Sequence, residues 1–246
     1  LFRCSKKDDG YCLIAGDKII KLKQEGNVLF FEGCSRKFIN NYLALEEDYG
    51  RIIKSLQKDK FVAEAIKRYR GLRICRQDPW ECLISFICSS ASNIPKIQKN
   101  ISKLAQSFGR KIKNKAHAFP TRDEIKSLRT IRSCGCGFRS PYIFEAAKKA
   151  DEKWLNSLRK LPYETAKKEL MKLNGVGEKV ADCVLLFSLG FGEAFPVDVW
   201  VKRVMEELYF NNKKTSEKKI REFARKKWGK HAGYAQEFLY HYRRNK

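Results

Sequence analysis

Short β-rich runs occupy residues 11–15, 18–23 and 28–32. They are split by Gly16-Asp17 and Glu25-Gly26-Asn27, both good turn sequences. This pattern predicts an antiparallel meander with one wet face. From Arg36 onward apolar residues recur at helical spacing: Phe38, Ile39, Tyr42, Leu43 and Leu45, then Ile52, Ile53 and Leu56, then Phe61, Ala65, Ile66 and Tyr69. Asp78-Pro79 predicts a helix start, with an N-cap and proline at the first helical position. The run 80–90 is apolar almost all round, so it predicts a buried central helix. Pro95 opens the next helix and Gly109 closes it, Thr121-Arg122-Asp123-Glu124 is a capping box, and Ser140-Pro141 begins another helix. The last two helices carry Ile220, Phe223, Ala224 and Trp228, then Tyr234, Phe238 and Tyr240. The expected fold is α+β and mostly α: an α+β domain over residues 1–70, then a helical body with a cleft over 71–246. Because the chain starts at Leu1 without Met, the first domain is expected to lack its start.

One stretch stands out, Leu173-Asn174-Gly175-Val176-Gly177-Glu178-Lys179-Val180-Ala181-Asp182-Cys183, followed by Pro196-Val197-Asp198. A helix runs into a Gly-x-Gly turn and a second apolar helix leaves it. Gly175 and Gly177 are expected to take positive φ and to clear the way for close approach. Successive amides at such a helix start attract an anion. Lys179 falls in the first turn of the outgoing helix, at its positive end. Asp198 precedes an amphipathic run and reads as an N-cap. A helix over 178–189 is roughly 18 Å long, and the link 190–197 reaches roughly 26 Å when extended. Lys179 and Asp198 can therefore share one pocket. A helical hairpin with a surface lysine and an ordinary capping aspartate is the competing reading.

Charge narrows the class of partner. Lys and Arg total 52 against 28 Asp and Glu, a formal net charge of +24, which favours a polyanion and salt-sensitive association. Nine cysteines invite a disulfide or metal reading, but Cys82, Cys88 and Cys183 lie in apolar helical runs, where free thiols pack as small hydrophobes. Cys134-Gly135-Cys136 is too close for a routine zinc pair, and His117, His231 and His241 lack ligand spacing. Free thiols suggest a reducing compartment. No run reaches membrane-spanning length, and no signal peptide is visible.

The hairpin, Lys179, Pro196 and Asp198 together resemble the helix-hairpin-helix DNA glycosylases with a Gly/Pro…Asp motif. Within that superfamily, Gly175-Val176-Gly177-Glu178-Lys179-Val180-Ala181-Asp182-Cys183 resembles the 8-oxoguanine DNA glycosylase/lyases. Further runs are similar: Leu1-Phe2-Arg3-Cys4, with Cys4 for the usual Trp; Arg76-Gln77-Asp78-Pro79 with 85–90; Gly137-Phe138-Arg139; and Ala232-Gly233-Tyr234-Ala235-Gln236.

The resemblance implies base-excision repair of damaged duplex DNA. Lys179 would be the nucleophile and Asp198 the stabiliser of charge developing on the sugar. The flipped base would sit between Cys183 and Tyr240, with the Gln236 amide on its Watson–Crick edge. Spacing agrees, since Cys183 lies four residues after Lys179 and Tyr240 four after Gln236, one helical face each. Core packing is the alternative for Cys183 and Tyr240, and a solvated helix face for Gln236. The hairpin residues Gly175, Val176 and Gly177 would face the DNA backbone. Phe138 would fill the gap and Arg139 would hold the orphaned partner base, although Phe138 equally suits a core. Ala91-Ser92-Asn93-Ile94-Pro95-Lys96 departs from the family's Asn-Asn…Arg, so Ser92, Asn93 and Lys96 are weaker DNA contacts. Trp200 stands where a phosphate-contacting histidine occurs. The family's lesion-reading glycine falls just before Leu1. No organic cofactor, Fe–S cluster or bound metal is implied beyond a monovalent cation at the hairpin. A monomer is expected, inside the cell: in the nucleus of a eukaryote, or the cytoplasm and nucleoid of a prokaryote. Excision of another damaged base, or DNA binding without catalysis, are the rival functions.

Overall fold

The computed structural model describes residues 2–7, 9–113 and 116–244. Leu1, quoted above, lies outside the described residues, as does the position before it. Four strands form an antiparallel meander in the order β1 (Cys4–Lys7), β2 (Gly10–Ala15), β3 (Lys18–Glu25) and β4 (Val28–Glu32). The expected three runs are joined by β1, whose Cys-Ser-Lys-Lys sequence has no apolar alternation and pairs Cys4 with Leu13. The wet face is real: Lys21, Lys23, Val28 and Phe30 are exposed on one side, whereas Leu13, Ala15 and Ile20 are buried on the other. Those three pack with Ile39 and Tyr42 of α1 (Arg36–Tyr42) into a small core.

The rest is helical: α2 (Tyr49–Leu56), α3 (Lys60–Arg68), α4 (Pro79–Ser89), α5 (Ile94–Phe108), α6 (Leu128–Ile131), α7 (Ser140–Lys149), α8 (Glu152–Ser157), α9 (Tyr163–Met171), α10 (Glu178–Val184), α11 (Val199–Tyr209), α12 (Glu217–Trp228) and α13 (Ala232–Arg244). Asp78 caps α4, accepting from Glu81 N at 2.8 Å, with Pro79 at the first position. Residues Cys82 to Cys88 of α4 are all buried, so this helix is the axis of the large core. Each fully buried Leu or Ile there contributes roughly 1.5–3 kcal/mol. The α2 and α3 stripes, Ile52, Leu56, Val62, Ala65 and Ile66, belong to this larger core. The Thr121 capping box forms, but it caps only a 3₁₀ turn, Arg122–Glu124.

Two arrangements position the site. The α10 helix packs on α4, and α11 packs on α13, so the lysine and aspartate arrive on separately anchored helices. Beyond α10 the chain widens into a π turn, Leu185–Leu189, and stops at Gly190 with φ 85°. Near the start of α13, Gly233 donates its N–H to Gly192 O at 2.8 Å. A Cβ at Gly233 would overlap Leu186, so this glycine brings α13 close to the π turn after α10.

Candidate active site

The hairpin joins α9 to α10, and its two glycines do different work. Gly175 has φ 82°, and a Cβ there would meet the Tyr142 ring at 2.5 Å, so both its conformation and its bareness are required. Gly177 corrects the expectation of positive φ. Its φ is −87° with ψ −179°, extended backbone at the N-cap of α10. A Cβ at Gly177 would point into open space, leaving the helix start unobstructed from outside. The Val176 side chain is buried, and its N–H already donates to Leu173 O at 3.1 Å, so this residue supports the turn from within.

Lys179 is half-buried at the second position of α10. Its Nζ donates to Ser89 Oγ at 3.0 Å and lies 5.2 Å from the centroid of the Phe86 ring. Ser89 in turn donates to Phe86 O at 2.7 Å. The end of α4 thus fixes the amine against an aromatic face, an arrangement with attraction of its own. Ser89 and Phe86 are not singled out by sequence; only the packing of α10 on α4 identifies which serine of the Ser89-Ser90 pair meets the lysine.

Asp198 caps α11 as expected, accepting from Val201 N at 2.7 Å. Cys183 lies one turn after Lys179 and is 2% exposed. Burial pushes its thiol up to about 12; the charge of Lys179 opposes this, while Asp182, Glu237 and Asp198 add to it. Gln236 is buried, and its Oε1 has no hydrogen-bond partner. Tyr240, one turn on, is half-buried and its hydroxyl accepts from Arg244 Nη1 at 2.9 Å. Burial raises its phenol too; Arg244 opposes the shift, and Asp198 and Glu237 add to it. Cys183 and Gln236 are thus buried and Tyr240 half-buried, on α10 and α13.

A buried ionic cluster anchors α10 from behind. Asp182, fully buried, accepts from Tyr163 Oη at 2.6 Å and pairs with Lys167 Nζ at 3.1 Å. Arg221 of α12 stands 3.9 Å from Asp182 and also pairs with Glu178. Burial raises the Asp182 carboxyl to about 6 against the pull of Lys167.

The loops that follow α4 and precede α7, with the starts of α5 and α11, hold the remaining candidates. Phe138 is 58% exposed, edge-on to Tyr142, so it is not a core residue. Arg139 departs from the expected DNA-facing role: it is 3% exposed. Its guanidinium donates to Ser90 O (Nε, 2.7 Å), Ala91 O (2.9 Å) and Cys136 O (3.4 Å), clipping one loop to the other. Ala91 sits at φ 46°, a left-handed conformation rare for alanine. Ser92 is half-buried, with a buried and unpartnered Oγ. Asn93 is exposed and caps α5 by accepting from Lys96 N at 3.0 Å, leaving the Lys96 side chain in solvent. Trp200 is 43% exposed beside Asp198, with the Arg203 guanidinium 5.6 Å from its ring.

Among the described residues no group of three or more His, Cys, Asp or Glu side chains is arranged to hold a metal ion. All nine cysteines are free thiols. None of the described helices is long and apolar enough to cross a membrane. A cleft of about 700 Å³ between the sheet and the helical body, lined by Arg3, Asp17, Arg76 and Glu81 among others, involves neither Lys179 nor Asp198.

Two family models match consecutive parts of the chain. The model for the 8-oxoguanine DNA glycosylase N-terminal domain covers residues 1–83, and that for the HhH-GPD superfamily of base excision DNA repair proteins covers residues 84–230. The N-glycosylase/DNA lyase of Saccharomyces cerevisiae is 38% identical over 212 residues, 70% of this chain and 56% of that protein, so the chain spans little more than half of this relative. A structure of MBOgg1 in complex with a low-affinity DNA ligand superposes with a TM-score of 0.94 at 40% identity, covering all of this chain and 89% of that one. The Clostridium acetobutylicum 8-oxoguanine glycosylase/lyase, in complex with duplex DNA containing cytosine opposite 8-oxoguanine, also gives 0.94, at 34% identity, covering 100% of this chain and 88% of that one. With its hairpin, its lysine on α10 and its aspartate at the head of α11, the chain belongs to the HhH-GPD superfamily of base excision DNA repair proteins.

Proposed function

We propose that this protein flips 8-oxoguanine out of duplex DNA, cleaves its N-glycosidic bond and then nicks the strand as an abasic-site lyase. Lys179 Nζ, unprotonated at the moment of attack, bonds to the deoxyribose C1′ as the C1′–N9 bond breaks. The base leaves with a proton, the sugar ring opens, and the lysine is joined to C1′ as a Schiff base. Loss of a C2′ proton then breaks the C3′–O bond on the 3′ side, and water releases the lysine. Asp198 stabilises the positive charge that develops on the sugar and accepts the proton shed by the amine. This stabilisation counts most in the transition state, where the charge is largest.

Cys183 and Tyr240 sandwich the flipped base, and Gln236 meets its Watson–Crick edge. Gly175, Val176 and Gly177 shape the turn whose outward amides hold a backbone phosphate, with a monovalent cation as the one added ion. Phe138 fills the vacated stack. Ser92, Asn93, Lys96 and Trp200 flank the duplex, and Arg139 supports the loop that carries Phe138. The enzyme acts as a monomer, inside the cell, on damaged double-stranded DNA.

The observation that carries this reading is Lys179 at the start of α10, directly after the Gly175 turn, its Nζ held by Ser89 Oγ at 3.0 Å, with Asp198 at the head of α11. The clostridial relative is an 8-oxoguanine glycosylase/lyase by name, which supports the choice of lesion, and the yeast relative an N-glycosylase/DNA lyase, which supports the two-step reaction. The test is borohydride trapping on a duplex containing 8-oxoguanine. The protein should form a covalent adduct, and Lys179→Gln should form none while still binding DNA. Wild-type levels of adduct with K179Q would reject Lys179 as nucleophile; absence of excision by the wild-type protein would reject the lesion.

A further inference from the structure

Arg73, Arg139, Arg225 and Arg244 each lie over an aromatic ring, and each also donates to a protein oxygen: Ala44 O, Ser90 O, a Glu164 carboxylate oxygen and Tyr240 Oη. Arg203 of α11 is different. It is exposed, its guanidinium stands 5.6 Å from the centroid of the Trp200 ring, and among the described residues it makes no ion pair or hydrogen bond. The carboxylates at helical spacing after it are taken: Glu206 accepts from Thr215 N at 2.8 Å, and Glu207 pairs with Arg243 at 3.2 Å. Trp200 is itself left 43% exposed, next to Val199 at 62%. Both members of the pair lie near the head of α11, with Arg203 roughly 7.5 Å along the axis from the Asp198 cap. An indole in water, with an unpaired guanidinium over its face, is thus presented beside the proposed catalytic carboxylate.

We propose that Arg203, held over Trp200, clamps a backbone phosphate of the damaged strand beside the flipped nucleotide. This rests on the glycosylase reading above, in which Trp200 only flanks the duplex. Stacking uses the face of a guanidinium and leaves its N–H edge free, and that fork matches two phosphate oxygens. The ring also restricts the side chain beforehand, so less rotamer freedom is lost on binding. A lysine at this position would bring the charge without the planar fork or the stack. A phosphodiester is the acceptor that lies next to a sugar engaged by Asp198, so the contact fixes the position of the strand and is indifferent to sequence.

The test measures affinity by fluorescence anisotropy for a duplex carrying a tetrahydrofuran abasic-site analogue, which binds without being cut. Arg203→Ala should weaken binding about tenfold, the size of one charge-assisted contact, and lower the log–log salt slope by about 0.9. Arg203→Lys should keep the slope but not the full affinity. In a Trp200→Ala background, Arg203→Ala should cost about threefold or less, because the two side chains act as a pair. A neutral methylphosphonate, placed in turn at each phosphate flanking the analogue on the damaged strand, locates the contact. At one of them it should weaken wild type about tenfold and R203A hardly at all. A salt slope unchanged by R203A, or no flanking phosphate whose neutralisation is blunted in R203A, overturns the clamp. Equal cost of R203A with and without Trp200 overturns the stacked arrangement that the proposal needs. None of these measurements requires excision, so they stand apart from the lesion assignment, which fails on its own if the wild-type protein leaves 8-oxoguanine in place.

Discussion

Lys179 Nζ donates to Ser89 Oγ at 3.0 Å, joining residues ninety positions apart. The bond holds the amine at the end of α4, over Phe86, and gives it one orientation before any substrate arrives. Ser89→Ala removes that tether and little volume. The single-turnover rate should fall about tenfold, since misplacing a reacting group by about 1 Å can cost a hundredfold. DNA affinity should hold within about twofold, because the proposed phosphate contacts lie elsewhere. Equal rates for S89A and wild type would show that the hairpin alone orients the lysine.

Asp198 serves as N-cap and as proposed charge stabiliser, and the two roles separate by substitution. Asparagine keeps an oxygen for Val201 N, now 2.7 Å from the carboxylate, while removing the charge. Asp198→Asn should lose about 100-fold or more in single-turnover excision, with thermal stability close to wild type. Asp198→Ala should in addition lose about 1 kcal/mol of stability. A folded D198N protein with wild-type excision would remove Asp198 from the chemistry.

Cys183 should behave as a neutral thiol. Burial raises its pKa to about 12, so the thiolate is scarce at any physiological pH. Iodoacetamide at pH 8 should leave Cys183 unmodified in the native protein and label it after unfolding, as peptide mapping can read. Rapid native labelling would mean the pocket opens without DNA.

Ala91 holds φ 46° in an exposed loop, at a cost of about 1–2 kcal/mol for an L-residue. Ala91→Gly should therefore stabilise the protein by about 1 kcal/mol, and Ala91→Asn by a smaller amount. Urea unfolding midpoints decide this. The Ala91 carbonyl that accepts from Arg139 is unaffected by either change.

If the proposed function holds, partner-base reading is predicted to fall to Lys96, because the Arg139 guanidinium is occupied by three carbonyls. A flexible ammonium defines geometry less tightly than a guanidinium fork. Lesion opposite cytosine should be processed with weak rejection of the other three partners. Lys96→Arg should sharpen the preference by about tenfold, the lower end of one bidentate pair. Single-turnover rates opposite all four bases, for both proteins, test this; strong rejection already present in wild type would refute it.

The buried cluster behind α10 makes no contact with the proposed substrate, yet it bears on its position. Asp182→Ala leaves Lys167 and Arg221 buried without their shared partner, a loss of about 3–5 kcal/mol. Nothing in the Val180-Ala181-Asp182-Cys183 sequence distinguishes this carboxylate from a solvent-facing one. Its role follows from Tyr163, Lys167 and Arg221 converging from α9 and α12.

By itself the sequence determined the features whose cause is local. The Gly175 turn, the caps at Asp78 and Asp198, the buried run of α4 and the strands over residues 11–32 all follow from backbone permissiveness, side-chain capping and periodicity within a few positions. Tertiary structure decided what depends on which faces meet. It added β1, which has no alternation of its own and exists by pairing with β2. It assigned the α2 and α3 stripes to the larger core, although an amphipathic stripe does not name its partner. It turned Arg139 inward onto carbonyls of a loop nearly fifty residues away. It set Ser89 under Lys179 and buried Gln236 among the helices. Burial by the surrounding helices, which no local pattern shows, leaves the Gln236 amide oxygen without a protein partner.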